Sequence, residues 1–141
     1  FWGAFQLTQA NYIEHYGLLR NKQANGRYER CQPHHSWNSN HLFSNWALFH
    51  LQRHSDHHAH PTRRYQSLRD FPDLPRLPNG YFGMYLLAYF PQLWAKVMDK
   101  RLLAAVDRDP ERINFLPAKK EMLMRRYNLG PQEQVPEEVL A

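Results

Sequence analysis

The sequence predicts a mainly α fold, and two observations carry that expectation. Histidines and apolar residues recur at helical spacing: His54, His57 and His58 stand at offsets 0, +3 and +4 and share one face of a helix turn. Stretches with this spacing also stop at proline or glycine, as at Pro61, Pro91 and Gly130-Pro131. Residues 1–20 are expected to form the first helix, with Phe1, Ala4, Thr8, Asn11 and His15 along one stripe and the polar segment 21–26 as its stop. Residues 27–35 read as a charged connector or short strand. Ser36 is a good N-cap for a second helix over 37–60, which Pro61 ends. On that helix, at about 100° per residue, His50, His54, His57 and His58 fall on one stripe that Phe43 and Ala47 continue.

Residues 62–80, punctuated by Pro72, Pro75 and Pro78, predict a long ordered loop. Residues 81–103 are expected to be helical with a break near Pro91. Within them, residues 81–98 are rich in Tyr, Phe and Trp and suit either a kinked core helix or an interfacial segment with aromatic anchors. A turn-rich connector follows over 107–117, then a short basic helix over 118–127. The end, 132–141, is acidic and reads as a linker or mobile tail. The chain thus divides into 1–103, 104–131 and 132–141.

Eighteen basic residues face thirteen acidic ones, for a net charge of +5. That balance suits an acidic partner, an anionic membrane surface or simply a solvated basic face. No zinc-finger, recognition-helix or RNP pattern is present, so nucleic acid is not the expected partner. Cys31 is the one cysteine, which excludes a disulfide framework and fits a reducing compartment. It suits an inert small hydrophobe better than a catalytic thiol. No run of 18 apolar residues occurs, so no complete membrane span is expected. The opening Phe1-Trp2-Gly3 reads as the middle of a helix in a longer polypeptide.

Eight of the nine histidines lie between positions 34 and 60. Near pH 7 they are expected to be mostly neutral, and neutral imidazole is a ligand for iron, copper, nickel and zinc. One helix cannot surround an ion, so a second source of ligands is needed. His15, isolated in the aromatic first helix, is the best candidate. His50, one turn before the triple, suits packing or an outer hydrogen bond. His34, His35, His41 and His60 suit surface or hydrogen-bonding roles. Glu14 and Asp56 point away from the histidines of their own helices. Asp56 remains available to orient an imidazole of another helix. The expected centre is therefore rich in histidine and poor in carboxylate. It fits a metal oxygenase, a zinc hydrolase or hydratase, or a metal-binding module at a membrane surface. There is no Ser/His/Asp order, phosphate-cradling glycine loop or CxxC pair.

The segments NYIEHYGLLR (11–20), GRYER (26–30), HSWNSNH (35–41) and LQRHSDHHAHPTRRYQSLRDFPDLPRLPNGY (51–81) resemble the C-terminal part of the alkane 1-monooxygenases. These are membrane alkane ω-hydroxylases among the histidine-box enzymes. The likeness runs over about residues 1–100; it is looser beyond and absent from the tail. It implies a membrane helix bundle whose cytoplasmic side carries a histidine-rich catalytic cap, in a multi-pass protein of the bacterial inner membrane. It implies two nonhaem iron ions, O2 as co-substrate, an n-alkane substrate and rubredoxin as electron donor. His15, His54, His57 and His58 are the implied metal ligands, the others lying upstream in the same polypeptide. Beside them, Ala4, Thr8 and Asn11 on one helix, and Phe43 and Ala47 on the other, are expected to line a cleft for a linear chain. Arg63, Arg64 and Arg69 are expected to face the acidic electron donor, with lipid headgroups as the competing partner for the same charges.

Overall fold

A computed structural model describes residues 1–130. The tail expected over 132–141 lies outside the described residues. The fold is mainly helical: α1 (Trp2–His15), α2 (Leu42–Ala47), α3 (His54–Ala59), α4 (Tyr81–Ala88), α5 (Pro91–Ala105) and α6 (Lys120–Tyr127) are joined by loops and single 3₁₀ turns. No strand forms among the described residues; Leu18 and Ile113, Lys22 and Tyr28, and Asn38 and Arg76 make only isolated bridges. No described helix is long and apolar enough to cross a membrane.

α1 packs on α4, and α4 on α5. Ile13, Trp37, Tyr81, Met84, Trp94 and Met98 are essentially removed from solvent and form the centre of the core. The buried face of α4 and α5 is therefore core packing, while Phe82, Leu86, Phe90 and Leu93 remain exposed on the outer side. Pro91 sits at the first position of α5, where its missing N–H costs no helical hydrogen bond.

Two expected helices end differently. The first stops at His15, well before 20, because Gly17 adopts φ +71 and turns the chain away. The helix expected over 37–60 does not form as one piece. Residues 37–41 are not helical, and His41 rather than Ser36 precedes α2. After α2, Phe49 (φ 51) and His50 (φ 58) both take the left-handed region, and the helix restarts only at His54. Buried amides hold this break in place: Gln52 Nε2 donates to the His41 carbonyl (2.8 Å) and to Asn45 Oδ1 (2.7 Å), and the His50 N–H reaches the Asn45 carbonyl (3.0 Å). His50, Phe43 and Ala47 consequently share no helical stripe with His54.

Candidate metal centre

His15 stands at the very end of α1, so its imidazole leaves the helix where the chain turns. The α3 histidines follow from a helix barely more than one turn long. The segment between them fastens the two ends together. The Trp37 N–H donates to the Glu14 carbonyl (2.7 Å), and its indole N–H to the Tyr16 carbonyl (2.8 Å). Asn38 then grips the start of α3: its Oδ1 accepts from the Ser55 N–H (2.9 Å), and its Nδ2 donates to Ser55 Oγ (2.6 Å). Ser55 Oγ in turn donates to the Pro33 carbonyl (2.5 Å). Ser36, Trp37, Asn38 and Ser55 are all buried, so these bonds are shielded from water.

The result brings His15, His54 and His58 together, with one nitrogen of each within 4.8 Å of the others. Nε2 of His15 and Nε2 of His54 are 3.3 Å apart. Nδ1 of His15 donates to the His35 carbonyl (2.9 Å), which orients the ring and turns Nε2 toward the cluster. Burial, followed by the nearness of His58, His15 and His57, pushes His54 down to about 2. Burial and His15 likewise lower His58 to about 4. Both are neutral at pH 7, the state in which imidazole binds a metal. Three converging imidazoles, one with its orientation set from behind, fit a transition-metal ion.

His57 is not part of this triangle. Its ring centroid lies 5.9 Å from that of His54 and 5.6 Å from that of His58. Glu14 does approach the site, through tertiary packing that a helical wheel of α1 does not show. Its Oε2 lies 3.3 Å from His54 Nε2, and its Oε1 accepts from the Tyr81 hydroxyl (2.8 Å). Burial raises the Glu14 carboxyl to about 7, against the Tyr81 hydrogen bond, which lowers it. A carboxylate thus borders the centre, contrary to the expectation of a carboxylate-poor site. Tyr81, Trp37 and Asn38 carry no metal-ligand spacing and Glu14 points away from His15 on a helical wheel, so their part in the site is legible only in the tertiary packing.

Asp56 is wholly buried and faces away from the cluster. Its oxygens meet Arg63 (2.5 Å), Arg69 (3.0 Å) and His60 (3.1 Å). Two of the three arginines expected at a docking surface are therefore held by Asp56, while Arg64 is exposed with no ion pair among the described residues. His50 Nδ1 donates to the Tyr65 carbonyl (3.2 Å). His35 is locked by the Gln32 N–H (3.0 Å) and lies near Glu29 (3.5 Å). Ala4, Thr8 and Asn11 form an exposed stripe on α1, with Thr8 Oγ1 donating to the Ala4 carbonyl (2.9 Å). Phe43 packs against Phe82 (5.4 Å between centroids), and Ala47 is exposed.

A helical scaffold that closes histidines from two separate motifs around one point defines a candidate histidine metal site. The chain belongs to the fatty acid desaturase family, whose model matches residues 1–91. Within that frame it is similar to the alkane 1-monooxygenases. It is 57% identical to alkane 1-monooxygenase 1 of Alcanivorax borkumensis, over 94% of this chain and 33% of that protein. It is 55% identical to the alkane 1-monooxygenase of Pseudomonas putida over the same shares. A more distant relative, the xylene/toluene monooxygenase hydroxylase component of Pseudomonas putida, is 29% identical over 81% of this chain and 28% of that protein. The chain spans about a third of the length of the relatives it matches most strongly.

Proposed function

We propose that this chain forms part of the active site of a membrane alkane 1-monooxygenase, which uses O2 to convert an n-alkane to a 1-alkanol. The observation that carries this reading is the meeting of His15 with His54 and His58. The matching motifs come from separate elements and arrive at one point. Two nonhaem irons are the metal proposed; His15, His54, His57 and His58 would hold them together with further ligands outside this chain. Iron bound there supplies the O2-activating redox chemistry that no side chain of this protein has.

The chain's own residues position and exclude. The His35 carbonyl holds the His15 ring, and Tyr81 holds the Glu14 carboxylate beside His54. Asn38 and Ser55 lock the α3 start, so the imidazoles need little reorganisation to accept an ion. The small side chains at Ala4 and Thr8, with Asn11, leave a shallow stripe on α1 ending at His15. A linear chain laid along it presents its terminal methyl to the centre. An alkane offers no polar handle, so shape alone fixes which carbon reacts. Phe43, which packs on Phe82 of α4, and Ala47 would join this lining together with segments outside this chain.

The proposed setting is the bacterial inner membrane, in a multi-pass protein with the centre toward the cytoplasm. The exposed aromatic residues of α1, α2 and α4 support a lipid or membrane-helix neighbour. Rubredoxin is the proposed electron donor, and Arg64 with the basic surface of α6 supports docking of an acidic partner. The full-length protein tests the reading. Purified with rubredoxin and its reductase, it is expected to contain iron and to place ¹⁸O from ¹⁸O2 in 1-octanol made from octane. His54→Ala is expected to abolish product and bound iron, whereas His57→Ala loses only part of the iron. Stoichiometric zinc without iron, and no labelled alcohol, would rule the reading out.

A further inference from the structure

Where the end of α1 meets α5 and the chain around α6, the fold leaves a half-open cavity of about 430 Å³. That volume lies within the roughly 300–1,000 Å³ of small-molecule sites. Its walls are mainly apolar, with Leu102, Leu103, Leu116 and Leu123 among them. One acidic group, Asp99, stands in this lining. Its Oδ1 accepts from the Tyr16 hydroxyl (2.6 Å) and its Oδ2 from the Tyr127 hydroxyl (2.5 Å). Both tyrosines line the cavity too. Each has given its only hydroxyl hydrogen to the carboxylate, so the cluster offers a ligand acceptor lone pairs alone. His15, from the metal triangle, also forms part of the wall.

We infer that this cavity binds a medium-chain primary alcohol, its hydroxyl donating to the Asp99–Tyr16–Tyr127 cluster and its alkyl chain lying along the leucines. The inference rests on the alkane hydroxylase reading, because that reaction makes such an alcohol beside His15. The Asp99 cluster selects among related molecules. An alkane would displace water from the acceptors without replacing its hydrogen bonds. An alkanoate would bring a second negative charge to Asp99. An alcohol has the one donor the cluster lacks and the chain the leucines cover. The cavity would thus hold product away from the metal, and a product-holding site delays the return of alcohol for further oxidation.

The test uses the full-length, iron-loaded enzyme in nanodiscs and a medium-chain primary alcohol carrying a diazirine. Light-driven labelling is expected on peptides spanning residues 99–103 and 113–129, displaced by 1-octanol but not by equal octane or octanoate. Leu123→Trp, which fills the cavity, is expected to cut this labelling at least tenfold while the iron content stays the same. Leu116→Trp, on an exposed position, gives the same readout if the first variant fails to fold. Labelling confined to other peptides, equal displacement by octane, or full labelling in the folded tryptophan variants would each overturn the assignment. An enzyme that makes 1-octanol from octane but is not labelled here loses this site alone. One that is labelled here but makes no alcohol loses the hydroxylase reading and keeps the site.

Discussion

Asp56 shows how one residue in the histidine motif serves the fold rather than the metal. Burial alone would raise its carboxyl, but the side-chain and backbone hydrogen bonds of Arg69, with Arg63, outweigh that and hold it at about 2, against an ordinary 3.8. The folded state therefore binds its proton less readily than the unfolded one. The stability this adds is present above about pH 4 and lost as pH falls toward about 2; its size is about 2 kcal/mol. Asp56→Asn is expected to destabilise the protein by about 1–3 kcal/mol at neutral pH, less than the roughly 3–5 kcal/mol of a fully buried broken pair, because Arg69 is half exposed. Guanidinium unfolding at pH 6 and pH 2.5 checks both points. The gap between wild type and variant should narrow at the lower pH, and an unchanged gap would show that the ion pairs contribute nothing. This residue also marks what the sequence withheld. The spacing of His54, His57 and His58 made a metal site legible, and the family resemblance joined His15 to it. That Asp56 turns outward to Arg63 and Arg69, or that Glu14 reaches across to His54, depends on tertiary packing that no one-helix projection contains.

At the scale of elements, the helices were legible where composition punctuates them and obscure where long-range hydrogen bonds decide. Pro91 divides α4 from α5 as expected, because proline states its constraint locally. The break between α2 and α3 contains neither glycine nor proline. It exists because Gln52 and Asn45 satisfy buried amides across the turn, and those bonds offset the strain of left-handed Phe49 and His50. The end of α1 was readable in principle at Gly17, one residue beyond Tyr16, yet the polar run after it looked like the stronger stop. Gly17 carries two constraints at once. Its φ of +71 disfavours any side chain, and a Cβ there would run into the Leu102 side chain on α5. Gly17→Ala is therefore expected to cost about 2–4 kcal/mol, from left-handed strain plus overpacking. A thermal melt reads this directly, and the loss should extend to metal affinity because the same turn aims His15. A variant as stable as wild type would mean that Leu102 yields without cost.

For the molecule as a whole, the distribution of aromatic residues says more than their number. Trp2 and Phe5 stack on α1 with centroids 5.9 Å apart, Phe5 reaches Tyr89 at 6.3 Å, and Phe43 meets Phe82 at 5.4 Å. α1, the end of α4 and α2 so contribute exposed rings that touch between elements, while the core rings of Trp37, Tyr81 and Trp94 lie inside. Large exposed apolar surface on a folded protein marks an interaction site. The chain covers about a third of the relatives it matches, and under the proposed membrane setting this surface would meet further membrane helices or lipid. Phe82 is the most informative position, being half exposed on α4 and in contact with Phe43 on a different element. Phe82→Glu leaves the buried face of α4 untouched, so the helical content of the protein should hold. A charge placed against hydrocarbon costs about 2–4 kcal/mol, falling toward zero nearer the headgroups. The full-length variant is therefore expected to accumulate less in the membrane fraction and to be digested faster by added protease, at unchanged circular dichroism of the recovered material. Equal accumulation and equal protease resistance would place Phe82 in water and move the membrane-facing surface to α1 and α2 alone.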